Sequence, residues 1–357
     1  MSKINKILIA SGGTGGHVIP ALSLFHFLKD KNYDVKLSTD VKGVKYINSI
    51  NTEKIKIIDT STIVKFKRLR SLLKITLAII KSFVFLIKEK PALIIGMGGY
   101  SSFPISFSAV LLKIPIIIYE NNMFFGKANK FLVPFAKKIL VNYNGIEGIK
   151  GNHKNKIKVI GNILREKILN FRNDKEDNYE ILNILILGGS QAAKKFAEKL
   201  PKIFIELNKR KIKIKIFQQC RPEQNLDLKK IYEQYKIDHM VFNYTNDIVN
   251  IYRQANLAIS RAGSSALAEL LNCRIPIIAI PLEQSADCHQ IKNAEFYEKK
   301  GFGIMIKEDK IDSDLLNLLQ RLYNNKSDLK SIRFNQSKYS DADVLKKINE
   351  ELKEFLR

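Results

Sequence analysis

At 357 residues the chain exceeds what one hydrophobic core usually organises and has the length of two α/β domains. Its 45% hydrophobic and 27% charged composition excludes the low-hydrophobicity signature of a disordered chain. A net charge of +25 points to an anionic partner, nucleic acid or a membrane surface, although abundant Lys, Ile and Asn also fit a compositional bias.

In chain order, Lys6–Ala10 reads as a strand, Gly12-Gly13-Thr14-Gly15-Gly16 as a glycine-rich turn and Ala21–Leu28 as a helix, with Pro20 at its start. Val35–Ser38, Leu93–Ile95 and Ile114–Tyr119 read as further strands, so the first half is a parallel α/β domain. Between them, Lys67, Lys74, Lys81 and Lys88 recur every seven residues and form one polar stripe on a helix, with Leu and Ile over the remaining circumference. Lys74 and Lys81 interrupt a run that would otherwise span a bilayer, which predicts a helix lying at an interface. Lys67, Arg68, Arg70 and Lys74 are then the groups expected on an anionic membrane. The competing expectation is an apolar face packed on the sheet with solvated lysines.

A polar stretch from Asn170 to Asn178 interrupts the pattern, and we place the domain break before it, giving residues 1–163 and 164–340. Strands at Ile181–Leu187, Lys213–Gln218, Leu257–Ser260 and Ile277–Ile280 form a second doubly wound series. The last stretch, Asp343–Phe355, has Val344, Leu345, Ile348, Leu352 and Phe355 at helical spacing and is expected to pack back on the first domain, as part of residues 341–357. Charge divides the same way: 27 Lys and Arg against 8 Asp and Glu in residues 1–165, then 33 against 27 in residues 166–357. The two halves are thus expected to meet different partners. Cys220, Cys273 and Cys288 lack CxxC spacing, arguing against a disulfide framework or zinc site, and the apolar run before Ser11 is too short for a secretory signal. A reducing cytoplasm fits these features.

Glycines at a strand-to-helix turn let backbone amides approach an anion, and the helix N-terminus adds partial positive charge. Three such turns occur: Gly12–Gly16, Gly96-Met97-Gly98-Gly99-Tyr100, and Gly188-Gly189-Ser190-Gln191. The first is no dinucleotide fingerprint, because the third glycine would fall at Val18. Asp40 nevertheless ends the next strand at a distance suited to a ribose, which keeps a nicotinamide oxidoreductase among the alternatives. His17 closes the first turn and is a candidate acid or base, while His26, His153 and His239 share no metal-ligand spacing with it. Glu120-Asn121-Asn122 follow the strand ending at Tyr119 and bring a carboxylate and amides to the same edge. In the second half, Arg261-Ala262-Gly263 opens a helix over Ala266–Leu271 whose amides can meet a diphosphate, with Glu269 a turn further on for ribose hydroxyls.

These turns, together with Arg261-Ala262-Gly263, Glu269 and Asp287-Cys288-His289-Gln290-Ile291-Lys292-Asn293-Ala294, run co-linearly along nearly the whole chain and resemble the MurG family of glycosyltransferases. The resemblance implies an α/β fold of GT-B type, two Rossmann-like doubly wound domains facing a cleft. It implies transfer of N-acetylglucosamine from UDP-N-acetylglucosamine to a membrane-bound undecaprenyl-diphosphate-linked muramyl-peptide, at the cytoplasmic face of the plasma membrane, without metal or cofactor. An anionic membrane surface and other cell-wall synthesis proteins are the further partners it implies; nucleic acid is not among them. By similarity, donor contacts fall on Thr14, Gly15, Gly16, Asn122, Arg165, Ser190, Thr245, Arg261, Gly263, Glu269, His289 and Gln290. Acceptor contacts fall on Gly12, Gly13, Gly98, Gly99, Tyr100 and Asn129. The base for the acceptor hydroxyl would be His17 or Glu120.

Two departures from the family pattern stand out: Tyr119 where the family usually has His before Glu, and Ala192 where it usually has Gly. Other readings of the same residues are a UDP-N-acetylglucosamine epimerase on the same fold, the oxidoreductase, and a non-catalytic lipid or nucleic-acid binding module.

Overall fold

The computed structural model describes residues 6–47, 50–60, 68–173, 179–243, 245, 247–283 and 288–356. It divides into two compact units, Met1–Arg165 with Asp341–Arg357 and Glu166–Ser340. In unit 1 the strands are β1 (Lys6–Ala10), β2 (Asp34–Thr39), β3 (Ile55–Ile57), β4 (Leu93–Gly96), β5 (Ile116–Glu120), β6 (Lys138–Val141) and β7 (Ile157–Val159). Helices α1 (Gly15–Asp30), α2 (Val41–Val44), α3 (Arg68–Glu89), α4 (Phe103–Leu111) and α5 (Lys127–Leu132) lie between them. Unit 2 holds α6 (Glu166–Leu169), β8 (Leu182–Leu187), α7 (Gly189–Lys209), β9 (Ile214–Gln219), α8 (Asn225–Gln234), β10 (Asp238–Phe242) and α9 (Ile248–Gln254). It continues with β11 (Leu257–Ser260), α10 (Ser264–Asn272), β12 (Ile277–Ala279), α11 (His289–Lys299), β13 (Gly303–Met305), α12 (Ile311–Asn324) and α13 (Ser327–Ser337). Helix α14 (Val344–Leu352) returns to unit 1.

Both sheets are parallel, in the orders β3-β2-β1-β4-β5-β6-β7 and β10-β9-β8-β11-β12-β13. Central strands are buried on both faces, which explains their continuous Ile and Leu runs, such as Ile7, Leu8 and Ile9 in β1 or Ile184, Leu185 and Ile186 in β8. Strand order reverses beside β1 in unit 1 and beside β8 in unit 2, where the turns after β1 and β4, and after β8 and β11, flank a crevice at the carboxyl edge. The glycine-rich turns stand at these switch points. Helix α14 closes unit 1 from outside: Val344, Ile348 and Leu352 are buried in the same cluster as Val18, Phe25 and Leu28 of α1. Lys138 secures it by pairing with Glu351 and Glu354.

Candidate functional site

The first glycine turn of unit 1 is shorter than its sequence suggests, because α1 already begins at Gly15. His17 therefore stands in the first helical turn, and Pro20 lies inside the helix rather than opening it. Proline has no N–H to offer the Gly16 carbonyl, and Asn121 Nδ2 donates to that oxygen instead, at 3.1 Å. Gly13 takes φ +80°, and Gly98 and Gly99 take +85° and +77°, so each needs glycine. A Cβ on Gly98 or Gly99 would also come within 3.3 and 3.2 Å of the His17 ring, which lies against this backbone. His17 Nδ1 is 3.0 Å from Met97 O. A carbonyl only accepts, so Nδ1 carries the proton, and in the neutral ring Nε2 keeps its lone pair.

Two carboxylates at this edge are engaged by protein donors. Asp40 accepts from Gly13 N and Gly43 N through Oδ1 and from Ser101 Oγ through Oδ2, all at 2.8 Å. It is buried beneath these three donors, which takes away the residue that kept the oxidoreductase alternative open. Glu120, only 3% exposed, accepts from Asn122 N (3.1 Å) and Nδ2 (3.0 Å) through Oε1. Its Oε2 accepts from Gly126 N (3.1 Å) and Asn129 Nδ2 (2.9 Å). Four donors fill the capacity of a carboxylate, so Glu120 organises the loop from β5 to α5 and is not placed as a base. Asn129, expected as an acceptor contact, is instead buried under that loop with Nδ2 on Glu120 and on Tyr119 O.

Tyr119 also turns inward. Its hydroxyl accepts from Ile163 N at 3.3 Å, and burial pushes the phenol well above its ordinary range. Asn162, next to Ile163, donates through its backbone and side-chain amides to the Asp341 carboxylate, 2.8 and 2.9 Å away. Tyrosine at this position therefore secures the segment leading to Arg165, a half-buried residue that ends the first of unit 1's two chain segments.

In unit 2 the turn after β8 runs into α7 at Gly189 (φ +64°), whose N–H reaches Gln219 Oε1 at 3.3 Å. Ser190 occupies the next helical position; its side chain lies outside the described residues. Gly263 caps α10, and among the described residues nothing lies within 4 Å of where its Cβ would be. Asn293 Nδ2 donates to Ala262 O at 3.0 Å and ties this turn to α11. His289 and Gln290 are the first two residues of α11, and Gln290 Oε1 accepts from Leu282 N at 3.0 Å. Glu269 is buried and receives the Tyr252 hydroxyl at 2.9 Å. Thr245 Oγ1 accepts from Asp247 N at 3.0 Å.

Arg261 is the departure in this unit. Expected on a diphosphate, it is buried against the Phe196 ring with its charge already matched: it pairs with Glu308, whose other oxygen takes Lys195 Nζ at 2.7 Å. Burial lowers the guanidinium from its ordinary value despite that pairing. Burial raises the Glu308 carboxyl too, but hydrogen bonds from Lys195 and Arg261 outweigh it and hold the group below its usual range. Arg261 thus braces the turn through Glu308 and Phe196.

The described sites coincide with known domains. The glycosyltransferase family 28 N-terminal domain matches residues 7–141 and its C-terminal domain residues 183–348. A UDP-N-acetylglucosamine–N-acetylmuramyl-(pentapeptide) pyrophosphoryl-undecaprenol N-acetylglucosamine transferase of Pelagibacter ubique is 38% identical over 347 residues, 96% of each chain. The chain belongs to the MurG family. A relative of the same description from Rickettsia canadensis is 36% identical over 326 residues, covering 88% of this chain and 89% of that one. The crystal structure of Acinetobacter baumannii MurG superposes with a TM-score of 0.79 at 24% identity, over 98% of this chain and 99% of that one, and supports the two-domain GT-B fold.

Gly12, Gly13, Thr14, Gly15, Gly16, His17, Gly98, Gly99 and Tyr100 come together at the unit 1 switch point. Asn122 lies one loop away, joined through Asn121. Sequence reasoning gave no site role to Ser101, Tyr252, Asn293, Lys195 or Glu308. Asn293 lies within a recognised motif and Ser101 beside one, whereas Tyr252, Lys195 and Glu308 have partners distant in sequence and no local signal to mark them.

Proposed function

We infer that this chain is an inverting hexosyltransferase that moves N-acetylglucosamine from UDP-N-acetylglucosamine to the 4-hydroxyl of lipid-linked N-acetylmuramyl-peptide. The observation that carries the reading is 38% identity to a curated transferase over 96% of the chain, with glycine turns at both switch points. In a single displacement the acceptor oxygen attacks the anomeric carbon opposite the diphosphate. The carbon–phosphate-oxygen bond breaks, UDP leaves with the electron pair, and a base takes the hydroxyl proton. His17 is that base: Met97 O fixes its Nδ1–H, so Nε2 accepts. Glycines 12, 13, 98 and 99 with Tyr100 frame the acceptor, and the N-termini of α7 and α10 stabilise the departing diphosphate. Glu269 takes ribose hydroxyls, and Thr245, His289 and Gln290 complete the donor side.

The acceptor is a membrane lipid, and unit 1 offers a surface for reaching it. Helix α3 packs beside α4 through Ser71, Ala78, Ser82 and Leu86, while Leu72, Leu73, Leu77, Ile80, Val84 and Ile87 stay half-exposed beside exposed Lys74, Lys81 and Lys88. Phe131 and Phe135, which follow Phe103 and Phe107 in one aromatic cluster, extend the exposed apolar area. No helix among the described residues is long and apolar enough to cross a membrane, and peripheral binding to the anionic cytoplasmic leaflet fits this face. Lys67 lies outside the described residues, as do the side chains of Arg68 and Arg70.

The direct test is transfer of radiolabelled sugar to a lipid-linked muramyl acceptor. Labelled lipid product with UDP release that requires acceptor is expected. UDP release without acceptor would make the chain an epimerase, and binding without turnover would leave it a recognition module.

A further inference from the structure

We propose that Asp40 is a positioning residue for His17, holding together the two turns that orient its imidazole. The inference rests on the reading of His17 as the base. Asp40 follows β2 and caps α2, on the strand next to the one that leads to His17, and nothing in its immediate sequence marks it for this role.

A carboxylate removed from water is stable only where its oxygens meet donors. Asp40 is 5% exposed, and its donors come from different segments: Gly13 N from the turn after β1, Gly43 N from α2, and Ser101 Oγ from the turn after β4. The two glycine-rich turns are pressed together at this point. A Cβ on Gly12 would lie 2.6 Å from Ser101 Cβ and 2.8 Å from Asp40 Oδ1.

His17 depends on the same two turns. The first leads into α1, whose third residue it is; the second supplies Met97 O to Nδ1 and lays Gly98 and Gly99 against the ring. Asp40 therefore sets the distance between the backbone that carries the imidazole and the carbonyl that fixes its tautomer. If the carboxylate is removed, Gly13 N–H and Ser101 O–H lose their acceptor and the turns can drift apart. The ring then loses its single Nδ1–H form. Misplacement of a reacting group by about 1 Å costs on the order of 10²-fold in rate.

Asp40→Ala is accordingly expected to lower kcat about 10- to 100-fold, with the affinity for UDP unchanged. Asp40→Asn keeps an oxygen for both amides and an NH2 group that can donate to Ser101, so it restores most of the turnover. In a His17→Ala background, Asp40→Ala should change the residual turnover by less than about twofold, because a residue acting through His17 has nothing left to position. Imidazole 15N NMR should show one Nδ1–H tautomer in the parent and a mixture in Asp40→Ala. Ser101→Ala, which removes only the Oδ2 contact, gives a smaller loss of the same kind and serves if Asp40→Ala does not fold. Full turnover in both Asp40→Ala and Ser101→Ala, with His17→Ala inactive, overturns this proposal alone. So does a multiplicative loss in the His17→Ala background. Normal turnover in His17→Ala itself overturns the reading of the base and this proposal with it.

Discussion

Helix α3 of unit 1 and helix α7 of unit 2 are 22 and 21 residues long, both carry lysines along one side, and they are mounted in opposite senses. Helix α7 buries Phe196, Leu200, Phe204 and Leu207 and leaves Lys194 and Lys199 to solvent, as an amphipathic helix on a sheet should. Helix α3 buries a stripe of small residues, Ser71, Ala78 and Ser82, with Leu86, and turns most of its Leu and Ile outward; Leu73 remains 57% exposed. Ser82 is bonded locally, its Oγ donating to Ala78 O, so burying it costs little. Burying a Leu or Ile side chain is worth roughly 1.5–3 kcal/mol. Six half-exposed aliphatic side chains therefore forgo several kcal/mol unless another phase covers them, the role proposed for an anionic membrane, whose charge the basic excess of residues 1–165 complements.

The carboxyl edges differ in parallel. Unit 1 engages Asp40 and Glu120 with amides and a hydroxyl, and the imidazole of His17 is the proton-exchanging group proposed there. Unit 2 matches Glu308 to cations and leaves helix N-termini for an anion. On the proposed function, one architecture is specialised twice, toward a lipid-borne hydroxyl and toward a nucleoside diphosphate.

The contrast can be broken most forcefully at Arg261. Replacing it alone by Leu leaves the buried Glu308 carboxylate with Lys195 as its one remaining cation and should destabilise the protein, by up to about 3–5 kcal/mol in denaturant unfolding, whereas Arg261→Leu with Glu308→Leu should be near neutral. If Arg261 instead contacts the donor, the double variant will be stable but will lose UDP affinity. The sign of the pH dependence follows from Glu308: its lowered value means that the pair contributes stability above the ordinary carboxyl range and loses it as pH falls through the lowered value. Next in size, changing Lys67, Arg68, Arg70 and Lys74 to Gln removes roughly 1 kcal/mol of attraction per charge and should abolish salt-sensitive co-sedimentation with anionic vesicles. Leu77→Asp with Ile80→Asp should weaken binding that survives high salt. Unaltered vesicle binding in both variants would move the membrane contact away from α3. Smallest, Glu269→Ala should weaken UDP-N-acetylglucosamine binding by about 1–3 kcal/mol in calorimetry; unchanged affinity would confine Glu269 to its bond with Tyr252.

Much of this was legible because buried parallel strands write themselves as unbroken apolar runs: Lys6–Ala10 and Leu257–Ser260 are strands at the bounds read from sequence. The short edge strands Ile55–Ile57 and Ile157–Val159 were not, since each has a lysine between two apolar residues and too few residues to show alternation. Pro20 misled for a different reason. Proline suits a helix start, yet here a distant asparagine, Asn121, satisfies the carbonyl that an internal proline abandons. Glycine turns and His17 were visible as motifs. What was hidden was occupancy: whether Asp40, Glu120 or Arg261 is open to a ligand depends on partners 27, 9 and 47 positions away. Membrane orientation of α3 was also ambiguous, because a lysine stripe does not say whether the small or the large residues turn inward.

The division of labour between the units is tested most directly by measuring turnover and UDP affinity side by side in His17→Ala. The account predicts a loss of turnover of about 10²–10⁴-fold with UDP affinity within about twofold of the parent. Turnover close to the parent's would contradict it, and so would a parallel collapse of UDP affinity.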